Sequence, residues 1–153
     1  MRQPDPEAYS YRRDGAVPAF PDDRPVLFFD GVCALCTGFA RFVLERDQKG
    51  LFRFAPAQSP LGQALYRHYG LDPIRLDTNL LVADGCAYTK SEAFIEVMER
   101  LGGLNRWATA LRIMPPALRD GLYDPIARNR YRWFGERDAC YLPSPEERSR
   151  FLT

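Results

Sequence analysis

Two cysteines three positions apart, Cys33 and Cys36, are the residues of this sequence best suited to chemistry. A helical segment follows them, so the first sulfur should lie among the free N–H groups of a helix N-terminus, where the helix dipole favours a thiolate. Side chains at this spacing can form a disulfide. We therefore predict thiol–disulfide exchange, with Cys33 as an exposed nucleophile of low pKa and Cys36 as the more shielded resolving thiol.

The same spacing also occurs in zinc sites, which normally collect four ligands and often use two such pairs. The remaining candidates are Cys86, Cys140 and His68, and they do not form a second pair. A strand before the cysteines and a helix after them favour redox chemistry, so neither a metal nor an organic cofactor is expected. A non-catalytic binding module, whose cysteines hold zinc or only pack, is the alternative.

The other cysteines and the histidine have simpler interpretations. Cys86 falls in a predicted strand and is expected to be a small buried apolar residue. Cys140 lies in the C-terminal tail and would become a third redox thiol if that tail folds back. His68 lies at the end of a predicted helix, which favours a surface or hydrogen-bonded histidine.

Asp30, three residues before Cys33, has two interpretations. Its carboxylate could take or relay the proton of Cys36 while a mixed disulfide is resolved. Asp30-Gly31 could also simply form the turn that leaves the strand. A carboxylate close to Cys33 would oppose thiolate formation there, so any benefit depends on its position.

A strand and a helix are predicted on either side of the cysteine pair. Val26–Phe29 is a continuous apolar run, typical of a strand buried on both faces. Apolar residues then recur at helical spacing and predict a helix to about Asp47, in which Gly38 suggests close packing against a neighbour. Residues 51–55 alternate in polarity and predict a second strand, parallel to the first through a βαβ unit.

A second helix and a hairpin follow. Pro60 suits the first turn of a helix capped by Ser59. Residues 79–83 and 86–89 predict two antiparallel strands joined by a two-residue turn at Asp84-Gly85. The mixed sheet therefore has four strands.

The rest of the chain is predominantly helical. Ser91 is predicted to cap a third helix, and residues 104–135 continue in helix with a break at Pro115-Pro116. The order β-α-β-α-β-β-α is that of the thioredoxin and glutaredoxin fold. We predict one such α/β domain over residues 25–153, with a four-stranded mixed sheet, helices on both faces, and extra C-terminal helices packed on it.

The length and net charge of the chain limit the classes of partner that are expected. The chain has 153 residues, enough for one domain, and its formal net charge of +1 demands neither nucleic acid nor an anionic membrane. Residues 1–24 predict an extended arm that Tyr9, Tyr11 and Phe20 attach to the body. Apolar runs stay far below the ~18–20 residues that span a bilayer, and the N-terminus lacks the apolar core of a signal peptide. We therefore expect no integral membrane segment, and a cytoplasmic protein.

Residues 128–134 interleave arginine with aromatic side chains, a pattern that could serve nucleic acid or a membrane surface. Because the whole chain is close to neutral, the favoured interpretation is a helix with aromatic residues inside and arginines outside. Nucleic acid is therefore not expected as a partner. The expected partner is an unidentified thiol or disulfide, either a protein or a small molecule, and the oligomeric state is open.

Asp30-Gly31-x-Cys33-x-x-Cys36 after an apolar strand resembles the DCC family of predicted thiol–disulfide oxidoreductases, named for its D-x-x-C-x-x-C signature. Further matching segments follow in order, and they include Arg46-Asp47, residues 52–56, 88–91 and 101–103, Arg119-Asp120, residues 128–131 and Cys140. The resemblance implies a thioredoxin-like fold, a redox role for both cysteines, and Asp30 as the third signature residue. Thioredoxins carry a cis-proline just before the third strand, where this sequence has Asp77-Thr78.

Overall fold

The computed structural model describes residues 8–76, 78–136 and 144–152 of the chain. Its strands are β1 (Val26–Phe29), β2 (Arg53–Pro56), β3 (Leu80–Ala83) and β4 (Cys86–Thr89). Its α-helices are α1 (Ala34–Arg46), α2 (Pro60–His68), α3 (Lys90–Leu101) and α4 (Pro116–Phe134). Short 3-10 helices occupy Ser10–Arg13 and Arg148–Arg150, and a longer one, Gly103–Ile113, connects α3 to α4.

The four strands form one mixed sheet in the order β2-β1-β3-β4. Strand β1 pairs in parallel with β2 and antiparallel with β3, and β3 pairs antiparallel with β4. The predicted α/β fold with its β-α-β-α-β-β-α core is therefore confirmed. Because β1 lies inside the sheet, the cysteine pair that follows its C-terminal end lies between the neighbouring strands and not at an outer strand.

The pleat of β1 divides the core into two layers. Leu27 and Phe29 pack on one face of the sheet with Val43 of α1 and Val97 of α3. On the other face, Val26 and Phe28 pack with residues of α2 and the arm, and all four β1 side chains are at most 1% exposed. Burying one large apolar side chain favours folding by ~1.5–3 kcal/mol, so the two layers hold β1 firmly.

The arm and α2 are joined on the second face. Tyr11 is buried there, with its ring centroid 5.2 Å from that of Phe20. The imidazole of His68, at the end of α2, contacts the carboxylate of Asp14 and the hydroxyl of Ser10, each at 2.8 Å. His68 is thus a hydrogen-bonded histidine, as predicted, and it attaches the arm to the body.

Two helix starts were predicted from capping residues, and one prediction was wrong. The hydroxyl of Ser59 accepts a hydrogen bond from the backbone N–H of Gly62 at 3.1 Å and caps α2 as expected. At α3 the N-cap position belongs to Thr89. Ser91 lies inside the first turn, and its hydroxyl instead donates to Asp120 of α4 at 2.6 Å.

Helix α4 follows the predicted orientation only in part, because Arg128 and Arg132 are exposed as expected but Arg130 is not. Its arginine Arg130 is 5% exposed, whereas Trp133 and Phe134 are 57% and 49% exposed. The prediction of aromatic residues inside and arginines outside was therefore wrong at these positions. The physical reason is Asp30, a buried carboxylate that draws a cationic side chain inward.

The described residues contain no helix that is both long enough and apolar enough to span a membrane.

Gly38 in α1 supplies a test of local packing. A Cβ built at Gly38 has no heavy atom within 4 Å, so the close packing inferred from the sequence is absent at this described position. Because alanine favours a helix interior over glycine by up to ~1 kcal/mol, Gly38→Ala should raise the free energy of unfolding by about that amount.

Gly62 provides the matched control in α2. There a Cβ would come within 2.7 Å of the backbone oxygens of Pro56 and Ala57. Gly62→Ala should therefore lower the free energy of unfolding, by ~1–3 kcal/mol. Chemical denaturation of both variants measures the two signs, and a destabilised Gly38→Ala would contradict the assigned packing.

Candidate redox site

The cysteine pair lies at the start of α1, directly after the end of β1. Cys33 is the N-cap residue of α1, and its sulfur accepts a hydrogen bond from the backbone N–H of Cys36 at 3.3 Å. A side-chain acceptor at this position satisfies one of the free N–H groups of the first helical turn. Both sulfurs are free thiols in this structure.

The two sulfurs differ in acidity. Hydrogen bonding from the Cys36 thiol, with further contributions from the Cys36 N–H and the charge of Arg130, lowers the pKa of Cys33 to about 7. Hydrogen bonding to Cys33 and burial raise the pKa of Cys36 far above its ordinary value. Near neutral pH the pair therefore holds one proton, on Cys36, and one negative charge, on Cys33.

Solvent exposure has the opposite distribution to the predicted one. Cys33 is 0% exposed, whereas Cys36 is partly exposed. The chain just after α4 contributes to this cover: the carbonyl of Gly135 accepts from the N–H of Ala34 at 3.2 Å, and Glu136 forms a β-bridge with Cys33. The prediction of an exposed Cys33 and a more shielded Cys36 was therefore wrong, because the two residues that follow α4 pair with the backbone at Cys33 and Ala34.

Asp30 lies between β1 and the cysteines, and the residue is 3% exposed. One carboxylate oxygen accepts from the backbone N–H of Val32 at 3.1 Å and from the side-chain amide of Gln58 at 2.6 Å. The other oxygen accepts from Arg130 at 3.2 Å and from the hydroxyl of Tyr131. The predicted turn at Asp30-Gly31 is present, and the same carboxylate also binds α4.

Arg130 and Tyr131 bring α4 to the site. The guanidinium of Arg130 bonds to Asp30 and to the carbonyls of Arg75 and Ala127, at 2.8 and 2.6 Å for the two carbonyls. Burial and the hydrogen bond to Asp30 raise the pKa of Tyr131 to about 12, so its hydroxyl stays protonated and donates a hydrogen bond. These contacts fix a positive charge near both sulfurs.

The segment before β3 also borders the site. Leu76 and Thr78 line a small cavity of about 50 Å³ together with Cys36, Asp30 and Arg130. Thr78 has a second role, because its hydroxyl accepts from the backbone N–H of Lys90 at 2.7 Å and so joins β3 to α3. The described peptide bonds are trans.

The remaining candidates from the sequence are not assembled with the pair. Cys86 in β4 is a partly exposed free thiol, so the prediction of a buried residue was wrong. Cys140 lies outside the described residues. Within the described ranges, three or more histidine, cysteine, aspartate or glutamate side chains do not gather into a group that could hold a metal ion.

Three residues of the site escaped the sequence argument: Gln58, Arg130 and Tyr131. The arginine–aromatic pattern at 128–134 was interpreted as a helix with aromatic residues inside and arginines outside, which placed Arg130 on the wrong face. A usable signal did exist, since a buried carboxylate at Asp30 requires a cationic or hydrogen-bonding partner somewhere in the chain. The distance of 100 residues between Asp30 and Arg130 left that partner unassigned.

Comparison with known proteins agrees with this geometry. The family model described as "DCC1-like thiol-disulfide oxidoreductase" matches residues 27–136, which include Asp30, both cysteines of the pair, Arg130 and Tyr131. The chain belongs to the DCC family. The resemblance found in the sequence is confirmed, and the match extends to the end of α4.

Two curated relatives cover most of this DCC-family chain. The "Uncharacterized protein YuxK" of Bacillus subtilis (strain 168) is 45% identical over 127 residues, which are 83% of this chain and 93% of that protein. The "DCC family protein At1g52590, chloroplastic" of Arabidopsis thaliana is 38% identical over 122 residues, 79% of this chain and 71% of that protein. No solved structure matches significantly.

The acidity of Cys33 can be titrated. Its pKa of about 7 means that the thiolate fraction should rise through one half near neutral pH, whereas an ordinary cysteine does so at ~8.5. Arg130→Met should raise the pKa of Cys33, because the cation that favours the thiolate is removed. Thiolate ultraviolet absorbance against pH, in a background with Cys86 and Cys140 replaced by serine, measures both values.

Controls for this titration come from the same helix. Arg128→Met removes an exposed arginine of α4 and should leave the Cys33 pKa unchanged. Arg130→Met also leaves the buried Asp30 carboxylate without its cation, which should lower the free energy of unfolding by ~3–5 kcal/mol. The double variant Arg130→Met/Asp30→Asn should largely restore that stability. An unchanged Cys33 pKa in a folded Arg130→Met protein would contradict the electrostatic assignment.

Proposed function

We propose that this chain catalyses thiol–disulfide exchange, with Cys33 as the nucleophile and Cys36 as the resolving thiol. The observation that carries the proposal is the opposite shift in pKa of two adjacent thiols at a helix N-terminus. The pKa of Cys33 is lowered to about 7 while that of Cys36 is raised. Nucleophilic attack requires a thiolate, and resolution requires a second sulfur within bonding reach.

The exchange proceeds in two steps that balance in electrons and protons. The Cys33 thiolate attacks one sulfur of a substrate disulfide, a mixed disulfide forms on Cys33, and the other substrate sulfur leaves as a thiolate. Cys36 then loses its proton to water or to that departing thiolate and attacks Cys33. The second substrate thiolate leaves, and two electrons have passed from the cysteine pair to the substrate.

Asp30 is the third residue of the proposed site, and its hydrogen bonds support a positioning role. Both carboxylate oxygens already accept two hydrogen bonds each, from the backbone of Val32 and from three side chains. Accepting the Cys36 proton would require one of these donors to leave. Asp30 acts through Arg130, because it holds the positive charge of that side chain beside the cysteine pair. The charge of Arg130 lowers the pKa of Cys33 by more than the charge of Asp30 raises it.

Attack by Cys33 also requires access to a covered sulfur. The cover includes the backbone of residues 135 and 136, joined to Cys33 and Ala34 by a β-bridge and one hydrogen bond. Two backbone contacts at the surface are weak enough to open locally. We propose that a disulfide substrate displaces this segment when it reaches Cys33.

The partner remains a proposed thiol or disulfide, and the expected cytoplasmic location stays a prediction. The printed name of the Arabidopsis relative places that protein in the chloroplast.

Single-turnover chemistry tests the proposed roles. Reduced protein is mixed with bis(2-hydroxyethyl) disulfide, and the products are mapped by mass spectrometry after an acid quench. The wild type should end with a Cys33–Cys36 disulfide, and Cys36→Ser should stop at a mixed disulfide on Cys33. Cys33→Ser should react only at the background rate, because the remaining sulfur of the pair is a poor thiolate.

Cys86→Ser is the matched control, since it removes a free thiol of β4 outside the pair and should behave like the wild type. A Cys33→Ser variant that reacts as fast as the wild type would contradict the proposed nucleophile. Metal analysis of protein purified under reducing conditions addresses the alternative of a binding module. Stoichiometric zinc that disappears in Cys33→Ser would favour that alternative over redox chemistry.

A further inference from the structure

An open cavity of about 410 Å³ lies next to the cysteine pair, between α1, α3 and α4. This volume is within the range of ~300–1,000 Å³ typical of small-molecule sites. We call it the Cys36 cavity, because Cys36 lies in its wall among apolar side chains: Phe29, Leu35, Phe39, Leu122 and Ile126. A redox-active sulfur therefore forms part of an apolar wall.

The apolar side chains of α4 explain why the cavity is open. Leu122 and Ile126 face the cavity and remain 59% and 42% exposed. The helix is held to the body by polar contacts instead, among them Lys90 with Asp124 at 2.7 Å and Arg130 with Asp30. These contacts fix α4 on the body, and the exposed apolar surface of Leu122 and Ile126 remains available to a ligand.

Four polar residues also line the cavity, and each side chain bonds within the protein: Asn79, Ser91, Arg119 and Tyr123. Ser91 donates to Asp120, and the guanidinium of Arg119 bonds to Glu92 at 3.0 Å and to the carbonyl of Met114 at 3.2 Å. A ligand with its own charges would therefore bury them against apolar walls and side chains that are already paired. The cavity favours an uncharged, apolar occupant.

Cys36 is the residue of the pair that lines this cavity. Cys36 is partly exposed and lines the wall, whereas Cys33 is 0% exposed. In an oxidised pair, an incoming thiol meets the sulfur that it can reach. The occupant of the cavity must therefore bring a sulfur to Cys36.

We propose that the oxidised pair is reduced through the Cys36 cavity: an uncharged thiol with an apolar body attacks the Cys36 sulfur, and Cys33 departs as the thiolate. This inference rests on the proposed exchange function and adds to it the class of the reducing thiol. The disulfide substrate and the reducing thiol are then different molecules, and each reacts at a different sulfur.

The reduction consumes two thiols. The first thiolate forms a mixed disulfide with Cys36 while the Cys33–Cys36 bond breaks and its electron pair goes to Cys33. A second thiolate then attacks the sulfur that the first reducing thiol contributed to that mixed disulfide. Cys36 leaves as a thiolate and takes a proton from solvent. The products are the free pair and a symmetrical apolar disulfide. The hydrogen bond from the Cys36 N–H stabilises the departing Cys33 thiolate, which makes it the better leaving group.

Three probe thiols test the class of ligand on the oxidised protein: benzyl mercaptan, 2-mercaptoethanol and 3-mercaptopropionate. Stopped-flow rates are normalised to the thiolate concentration of each probe. We expect benzyl mercaptan to react about tenfold or more faster than the other two, because burying an apolar group of this size favours its bound state by at least that factor. Equal normalised rates would overturn the proposal.

The site of attack is mapped in the same reaction. Samples quenched with acid at early times are digested, and the benzyl adduct is located by mass spectrometry. An adduct on Cys36 is the expected result, and an adduct on Cys33 would overturn the proposed route while leaving the exchange function intact. If instead the pair cannot be oxidised at all, the proposed function itself fails, so the two failures are distinguishable.

Two matched variants test the cavity. Ile126→Glu introduces a carboxylate into the cavity wall and should abolish the advantage of benzyl mercaptan over 2-mercaptoethanol. Ile74→Glu makes the same change at an 87% exposed isoleucine outside the cavity and should preserve that advantage. Circular dichroism of both variants verifies that they are folded. A folded Ile126→Glu protein that keeps the full preference would contradict the assigned cavity.

Discussion

The contact of Asp30 with Arg130 and Tyr131 is the interaction on which the site depends. It joins the end of the central strand to a helix 100 residues later, and both charged side chains are almost completely buried. Removing either partner leaves an uncompensated charge in the protein, so the two must be present together. Through this contact α4 supplies a positive charge near the sulfurs and an apolar wall beside Cys36, and it places the following residues 135 and 136 against Cys33.

The second consequence is a separation of reactivity from access. Helix α1 begins at Cys33, so the first sulfur receives the N–H groups of the helix terminus and carries the negative charge. The residues just after α4 pair with the backbone of Cys33, whereas Cys36 lines a largely apolar cavity. We propose on this basis that a substrate disulfide and a reducing thiol meet different surfaces of one cysteine pair. This arrangement distinguishes the site from one in which the same exposed sulfur serves both half-reactions.

Much of the fold could be predicted because its signals are local. The apolar run Val26–Phe29, the turn at Asp84-Gly85 and the cap at Ser59 each act over a few residues, and all three lie where they were expected. The exposure of Cys33 and the orientation of α4 could not be predicted, because they depend on long-range contacts. The periodicity of α4 gave no reason to place Arg130 inside, since the compensating carboxylate belongs to another part of the chain. Ser91 illustrates the same limit, as its hydroxyl bonds to Asp120 of a distant helix instead of capping its own.

Reversible oxidation of the pair tests the central claim most directly. The protein is equilibrated in dithiothreitol redox buffers of graded potential, free thiols are alkylated, and Cys33 and Cys36 are quantified by peptide mass spectrometry. The account predicts that both cysteines lose their alkylation together, in one two-electron transition that is the same from the reduced and the oxidised side. Cysteines that stay fully alkylated at every potential, or that follow separate transitions, would contradict it.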